Sequence, residues 1–377
     1  MYLETLWLTD FRSYTETEFC PASDGITVVT GANGAGKTNL IEAVGYLATL
    51  RSLRGSPSEA MVRSGAAGGT AIVRARIGRP VEGSVRRTMI EAELHAAGRD
   101  RVQVNGQSLR RTRDLLGSLQ VTVFSPDDLA LVKGGPGGRR ELLDDLLVGL
   151  HPRRDALLGE LERILKQRNA LLKSAFGSGG WRPGRPLPDD VRFTLDVWDS
   201  KLTAVGEELV AARTALVADL EPLVGEAYAA LADGSAVPAR QRVNLAYRTS
   251  WDGPLAAALV AARDDDLRRG VTTVGPQRDD LDLTVGDLPA RTHASQGEQR
   301  TLALALRLAG HRLIGREIGS PPVLLLDDVF SELDRARAEA LMRNLPSGQA
   351  ILTTAGDLPP GAEAAARFRV EAGKLLP

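Results

Sequence analysis

Apolar residues change their spacing four times along this chain. Between Tyr2 and Phe11 they alternate with polar ones, as in a strand buried on one face. Gly25-Ile-Thr-Val-Val-Thr30 is an apolar run of strand length, and Asn39-Leu-Ile-Glu-Ala-Val-Gly-Tyr-Leu-Ala48 then repeats at helical spacing. Strand patterns return over residues 71–77, 87–94 and 101–104, the last followed by Asn105-Gly106, a pair suited to a tight hairpin turn. From residue 139 the period lengthens. Residues 139–150, 153–175 and 191–231 carry apolar positions three and four apart, as in Leu157, Leu158, Leu161, Ile164 and Leu165. The Gly/Pro-rich stretch 177–188 separates two of these helices, which can pack antiparallel. No heptad is sustained, which excludes a long coiled coil. Beyond residue 271 strands resume at 281–285, 323–326 and 349–353. The pattern is that of one α/β domain with an antiparallel part, residues 1–125 plus 271–377, split by a helical insertion, residues 126–270.

Two segments almost a chain apart carry chemistry for one ligand. Gly31-Ala-Asn-Gly-Ala-Gly-Lys37-Thr38 matches G-x-x-x-x-G-K-[ST] and sits between a predicted strand and a predicted helix. In such a loop Asn33 and Gly34 turn N–H groups toward phosphates, Gly36 allows close approach, and the helix N-terminus adds its dipole. Lys37 would reach the terminal phosphates, and the Thr38 hydroxyl a Mg²⁺ ion. Val323-Leu-Leu-Leu-Asp327-Asp328 is a buried strand ending in two carboxylates. Asp327 would hold the metal, while Asp328 would orient or deprotonate the water that attacks the γ-phosphate. Catalytic roles therefore fall to Lys37 and Asp328, and metal binding to Thr38 and Asp327.

Between those segments lies Ser295-Gln-Gly-Glu298. Ser-x-x-Glu ahead of an apolar helix is a capping box, and a Ser-capped helix N-terminus beside a glycine is also a receptor for a γ-phosphate. Ser331-Glu-Leu-Asp334 follows the second carboxylate pair, with Asp334 placed to cap a helix. That order is the order of an ABC-type ATPase head.

Composition then narrows the class. A chain of 377 residues fits two domains, or one with an insertion. The longest apolar stretches, 302–309 and 323–326, fall short of the roughly 18 residues that span a bilayer, and Met-Tyr-Leu-Glu-Thr-Leu has no basic leader region. A cytoplasmic, nucleoid-associated protein with no membrane partner is expected. Cys20 is alone and His95, His151, His293 and His311 are scattered, so neither disulfides nor zinc are indicated and any metal should be bound through oxygen. Net charge is −1, with six lysines against forty-one arginines. That bias devalues every arginine cluster as a nucleic-acid signal while leaving room for a local basic face.

Further segments carry a family resemblance. They are Phe11-Arg12-Ser13-Tyr14, the loop continuing as Thr38-Asn-Leu-Ile-Glu-Ala, Arg51-Ser52-Leu53-Arg54, and Phe124-Ser-Pro-Asp-Asp-Leu129 with Leu131-Val-Lys-Gly134 and Arg139-Arg140. Leu165-Lys-Gln-Arg-Asn-Ala-Leu-Leu172, Gly275-Pro-Gln-Arg-Asp-Asp-Leu281, Ser295-Gln-Gly-Glu-Gln-Arg300 and Leu325-Leu-Asp-Asp-Val-Phe-Ser-Glu-Leu-Asp334 complete them. Nearly from end to end the chain resembles the RecF family of bacterial recombination and repair ATPases, relatives of the heads of Rad50 and SMC proteins. It departs from that family at Gln277, usually His, and at Glu298, usually Gln. No glutamine stands near residues 125–127, where ABC ATPases carry a Q-loop, and Thr353-Thr354 occupy the place of a switch histidine. Slow turnover is therefore expected.

The resemblance implies an ABC-type P-loop ATPase head (lobe I, a mixed sheet with an antiparallel part) with an inserted α-helical lobe II. It implies ATP and Mg²⁺ as ligands, with nucleotide contacts at Arg12, Ser13, Gly31, Ala32, Asn33, Gly34, Ala35, Gly36, Lys37, Thr38, Asn39, Ser295, Gln296, Gly297, Glu298 and Asp334. Two copies would pair head to tail, so that Ser295 and Gly297 of one touch the γ-phosphate held by the other. It further implies weak, DNA-stimulated hydrolysis, binding to duplex DNA beside single-stranded gaps, cooperation with RecR and RecO in loading RecA, and support of the SOS response. Arg51, Arg54, Arg110, Arg111, Arg113, Arg139 and Arg140 are the candidate DNA contacts. Three alternatives remain at this level. A transporter ATPase subunit would need the Q-loop glutamine and the switch histidine. A structural tether like Rad50 or SMC would need hundreds of heptad residues where some 256 non-heptad residues intervene. A P-loop NTPase without nucleic acid has nothing in the overall charge against it.

Overall fold

The alternation at the start of the chain forms β1 (Tyr2–Phe11), which turns through Arg12 and Ser13 into β2 (Tyr14–Phe19). The apolar run forms β3 (Gly25–Thr30) and leads through the glycine loop into α1 (Lys37–Thr49). Next come β4 (Thr70–Val81), β5 (Ser84–His95), β6 (Arg101–Val104) and β7 (Gln107–Ser108). Asn105 and Gly106 join the last two at φ of 51° and 77°, the turn their sequence favours. Then follow β8 (Val121–Phe124), α2 (Leu129–Lys133), α3 (Pro136–Leu150), α4 (Asp155–Gly177) and α5 (Asp189–Leu231). The chain returns through β9 (Val243–Arg248), α6 (Leu255–Arg269), β10 (Asp280–Val285), β11 (Leu288–Pro289), α7 (Ala290–His293) and α8 (Gln296–Ile318). It ends with β12 (Val323–Asp327), α9 (Arg335–Asn344), β13 (Gln349–Thr354), β14 (Ala366–Glu371) and β15 (Lys374–Leu376). This computed structural model describes residues 1–177, 187–232, 242–356, 358 and 362–376. Most of the Gly/Pro-rich stretch expected between the two helices, residues 178–186, lies outside them.

The chain forms two compact units, one of Met1–Val132, Leu223–Arg242 and Ser295–Pro377, the other of Lys133–Pro222 and Val243–Ala294. These bounds differ from those expected. Residues 271–294 fall in the second unit because β10 pairs antiparallel with β9 and β11 and joins neither large sheet. The division on the other side falls at Pro222, inside α5.

The first unit holds two six-stranded sheets. One is antiparallel, in the order β2-β1-β4-β5-β6-β7, and the other runs β15-β14-β3-β13-β12-β8 with only β15 antiparallel. Helix α1 packs against both. Leu40, Ile41, Val44 and Leu47 join one buried cluster with Leu3, Leu6, Val73 and Ile90 of the first sheet and Val29, Leu325 and Ile351 of the second. A helix apolar on every side is a buried helix, and every residue from Leu40 to Ala48 is buried. All five positions of β12 are buried too, which is why a central parallel strand reads as an unbroken apolar run. Helix α8 is fixed beside β8. Arg307 Nε and Nη2 donate to Asp128 Oδ1 at 3.0 and 2.7 Å, and His311 Nδ1 lies 3.1 Å from Thr122 Oγ1. Burial pushes the His311 pKa down to about 4, so the ring is neutral at pH 7. No described helix is long and apolar enough to cross a membrane.

The second unit packs α3 to α6 with the small sheet β11-β10-β9. Its centre is ionic. Arg168 is fully buried; its Nε donates to Asp199 Oδ1 at 2.7 Å, and its Nη1 to Asp266 Oδ2 at 2.6 Å and Thr272 Oγ1 at 3.0 Å. Arg263 also holds Asp199, at 2.7 Å. Three helices are thus joined at one point, since Arg168 lies on α4, Asp199 on α5 and Asp266 on α6. Gln277, the departure noted in the sequence, packs against Gly275 in this unit, and its Oε1 is buried without a hydrogen bond to a described residue. Removing one partner of a buried ionic group leaves uncompensated charge. Arg168→Ala should therefore lower the unfolding free energy by about 3–5 kcal/mol in urea titration. A loss below about 1 kcal/mol, typical of an exposed pair, would contradict this account.

Candidate nucleotide-binding site

The loop after β3 needs its glycines for different reasons. A Cβ on Gly31 would sit 2.6 Å from the Val370 carbonyl oxygen, and one on Gly36 would sit 2.7 Å from Ser13 Oγ. Gly34 instead supplies a turn at φ 80° with open space around it, and it is exposed together with Ala32 and Asn33. Ala35 N donates to Ala32 O at 3.1 Å and closes the loop. Helix α1 begins at Gly36 with no side-chain cap and no acid in its first turn. Its first amides are left for an anion. Lys37 is buried, and its Nζ donates to Gly31 O and Ala32 O at 2.8 and 3.0 Å. The one ammonium of the loop is therefore held against the loop's own backbone.

The β1–β2 turn braces α1 along one side. Tyr14 OH donates to Gly36 O at 3.0 Å, Asn39 Nδ2 to Ser13 Oγ at 2.9 Å, and Arg12 Nε and Nη2 to the two Glu42 carboxylate oxygens at 2.8 Å each. Positions 36, 39 and 42 are one helical turn apart, so three consecutive residues of the turn meet one face of the helix. Burial raises the Tyr14 phenol pKa and keeps it a donor. Arg12 Nη1 also donates to Ala60 O at 2.7 Å. The guanidinium expected to touch nucleotide is thus engaged by protein on all three nitrogens and acts here as a brace. Glu42, fully buried, also accepts Ser52 Oγ at 2.5 Å. The same carboxylate fastens the segment that carries Arg51 and Arg54.

The two ends of the chain meet at Asp327. Its Oδ1 accepts Thr38 Oγ1 at 3.0 Å and Thr353 Oγ1 at 2.6 Å. Asp328 N donates to Thr353 O and to Thr353 Oγ1, each at 3.1 Å. Asp328 itself is left-handed, at φ 48° and ψ 31°, a conformation Asp accepts better than most residues. A hydroxyl and a carboxylate side by side, both hard oxygen donors, fit Mg²⁺, which binds through one or two carboxylates and otherwise through substrate phosphate and water. Thr353 was legible only as a missing histidine. The available signal was its place on the strand beside β12, where the register puts it opposite Asp327.

The Ser-x-Gly-Glu segment forms a second group. Ser295 Oγ accepts Glu298 N at 3.3 Å and Glu298 Oε2 accepts Ser295 N at 2.7 Å, a complete capping box that leaves Ser295 and Gln296 exposed. Asp334 caps α9 by accepting Arg337 N at 2.9 Å and pairs with the Arg337 side chain. That amide first, and then the arginine charge, hold its carboxyl below the usual range. Arg337 Nε donates to Thr301 Oγ1 at 3.1 Å.

The candidate DNA contacts divide. Arg51, Arg54, Arg110, Arg111 and Arg113 are exposed in the first unit. Arg139 is not available: it is buried, with Nε and Nη2 on Asp280 at 2.7 and 2.9 Å. Arg140 is half-buried in the same unit, donating to Asp279 O at 2.7 Å. Arg139 is structural, and the expectation for it is corrected accordingly.

The family model for the RecF/RecN/SMC N terminal domain matches residues 2–355. The DNA replication and repair protein RecF of Streptomyces avermitilis is 45% identical over 387 residues, covering 100% of this chain and 99% of that protein. That of Frankia alni is also 45% identical, over 393 residues, with coverage of 100% and 99%. Among solved structures, the recombination mediator protein RecF with ATP, in the RecFOR pathway, is 27% identical with a TM-score of 0.85, covering 99% of this chain and 96% of that one. A Pyrococcus furiosus Smc head domain, 17% identical with a TM-score of 0.55 and coverage of 100% and 95%, shares the fold.

Because Thr353 holds the Asp327 carboxylate and the Asp328 backbone N–H, Thr353→Val should cut nucleotide turnover on the order of 10- to 100-fold, and Thr353→Ser should restore most of it. Phosphate release from purified protein checks this. Wild-type turnover in the valine variant would remove Thr353 from the machinery.

Proposed function

The chain belongs to the RecF family of DNA replication and repair proteins, and from that premise we propose that it is an ATP-gated DNA clamp whose two copies close head to tail on DNA. One observation carries the proposal. Each chain holds a formed phosphate loop with its carboxylate pair, and separately an exposed, capped helix N-terminus bearing Ser295 and Gly297.

ATP would lie with its phosphates against the loop amides and the open end of α1, and Lys37 would leave the Gly31 and Ala32 carbonyls for the terminal phosphates. Thr38 and Asp327 would hold Mg²⁺, which when bound neutralises phosphate charge. Asp328 takes a proton from water as the water oxygen bonds to the γ-phosphorus. The bond from that phosphorus to the bridging oxygen breaks, and ADP leaves with its electron pair. Ser295 supports the other copy's site, because a hydroxyl that accepts Glu298 N keeps its own proton to donate to a phosphate oxygen. If ATP favours the pair, pairing must tighten ATP by the same factor.

Exposed arginines support the DNA reading. Asp100 accepts Ser58 Oγ at 2.6 Å and Tyr46 OH at 3.5 Å, so the β5–β6 turn, with Arg99 and Arg101, lies against the segment that follows α1. Arg51 and Arg54 begin that segment, and Arg110, Arg111 and Arg113 leave β7 at the edge of the same sheet. In this reading the clamp settles on duplex beside a single-stranded gap, helps RecR and RecO to load RecA, supports the SOS response, and lets go after slow, DNA-stimulated hydrolysis.

Gel filtration with ATP and gapped duplex should give a dimer on DNA that vanishes without ATP and in Lys37→Met, while Asp328→Asn should prolong it. A species of unchanged size under all these conditions would end the proposal. Charge reversal at Arg51, Arg54, Arg110, Arg111 and Arg113 should reduce the log–log salt slope of DNA affinity by about one unit for each phosphate that the protein no longer neutralises. An unchanged slope would take these residues out of the interface.

A further inference from the structure

Gly297 is helical, so its backbone alone does not require glycine. What it makes room for is Arg337. A Cβ on Gly297 would stand 2.7 Å from Arg337 Cζ and 3.0 Å from its Nη1, so the guanidinium lies directly on the glycine. Two of its three nitrogens are committed, Nε to Thr301 Oγ1 at 3.1 Å and Nη1 to Asp334. Thr301 Oγ1 in turn donates to Gly297 O at 2.9 Å, so the arginine is fastened to the first turn of α8 from its far side. Nη2 makes no hydrogen bond to a described residue, and the side chain is 33% exposed.

Charge gives this placement a purpose. The first turn of α8 carries Glu298, whose carboxylate reaches back to Ser295 N. A phosphate approaching that helix end meets a negative group where the dipole alone would attract it, and at close range a full charge outweighs the half charge of a helix terminus. An added cation at the same place reverses the balance, and a guanidinium with free N–H donors is the side chain best shaped for phosphate oxygens.

Resting on the head-to-tail reading, we propose that Arg337 is a phosphate-binding residue acting in trans: with Ser295 and Gly297 of its own copy, it contacts the terminal phosphate of the ATP held by Lys37 of the other. Asp334 and Thr301 set its direction. The Ser-x-Gly-Glu segment and the residue three beyond Asp334 are then one receptor, in which the arginine lies against the bare face of Gly297.

The test separates action in trans from a fault in Arg337's own subunit. Monomeric Arg337→Ala should bind fluorescent ATP with Mg²⁺ as wild type does, because its own phosphate loop is intact. Its ATP-dependent dimerisation, by sedimentation velocity, should weaken on the order of 10- to 100-fold, the loss of one charge-assisted hydrogen bond, and Arg337→Lys should weaken it less. Mixing Arg337→Ala with Lys37→Met should restore both dimers and phosphate release, since each mixed pair has one complete site. Wild type mixed with the double variant Arg337→Ala/Lys37→Met should gain nothing, having none. Wild-type dimerisation in Arg337→Ala overturns the inference. So does a mixture that stays inactive while wild type dimerises, for then the residue acts within its own subunit or only through folding. If wild type itself shows no ATP-dependent dimer, the head-to-tail reading falls and the inference with it.

Discussion

The structure turns on a helix that must be sealed along its length and open at its end. Helix α1 is clad by an antiparallel sheet and by a parallel one, so its body contributes apolar burial to both. Its first amides belong to an anion, and no side chain caps them. Holding an uncapped terminus still is the task of its surroundings. The β1–β2 turn grips positions 36, 39 and 42, and Val370 and Ser13 crowd Gly31 and Gly36 so closely that no other residue fits there. Glu42 makes the grip ionic. A fully buried carboxylate is tolerated only when paired and hydrogen-bonded, and Arg12 and Ser52 together provide that.

Much of this was legible in the sequence because its chemistry is local. The phosphate loop, the buried strand ending in Asp327 and Asp328, the capping box at Ser295 and the Asn105-Gly106 turn each need only a few adjacent residues. The rest depends on partners far away in the chain. Arg139 and Arg140 read as a basic pair until Asp280 and Asp279, some 140 residues on, took them up. Arg12 carried a family expectation of nucleotide contact and is held by Glu42. Thr353 registered as the lack of an imidazole, whereas its hydroxyl reaches Asp327 from the adjoining strand. The domain limits were misplaced for a similar reason. A short strand such as β10 looks alike whichever sheet it joins, and only pairing with β9 assigns it.

The two departures from the family pattern have different settings. Gln277 lies in the second unit, its buried oxygen without a hydrogen bond to a described residue. Glu298 closes the capping box and sits one residue beyond the glycine on which Arg337 rests. The segment where ABC ATPases carry a Q-loop is anchored by its last residue. Asp128, at the end of that segment, is clasped by Arg307 three turns along α8, so the segment is tied to the helix through charge.

The place of β3 in its sheet bears on how the protein is made. Its neighbours are β13 and β14, which come from residues 349–354 and 366–371. Throughout translation the strand that feeds the phosphate loop therefore waits with both edges unpaired, and Asp327 has no Thr353 to steady it. Pairing at such sequence separation is slow, and a bare apolar strand is what chaperones recognise and aggregates recruit. Until residues 349–371 have been made, β3 has no strand beside it and the nucleotide site cannot assemble.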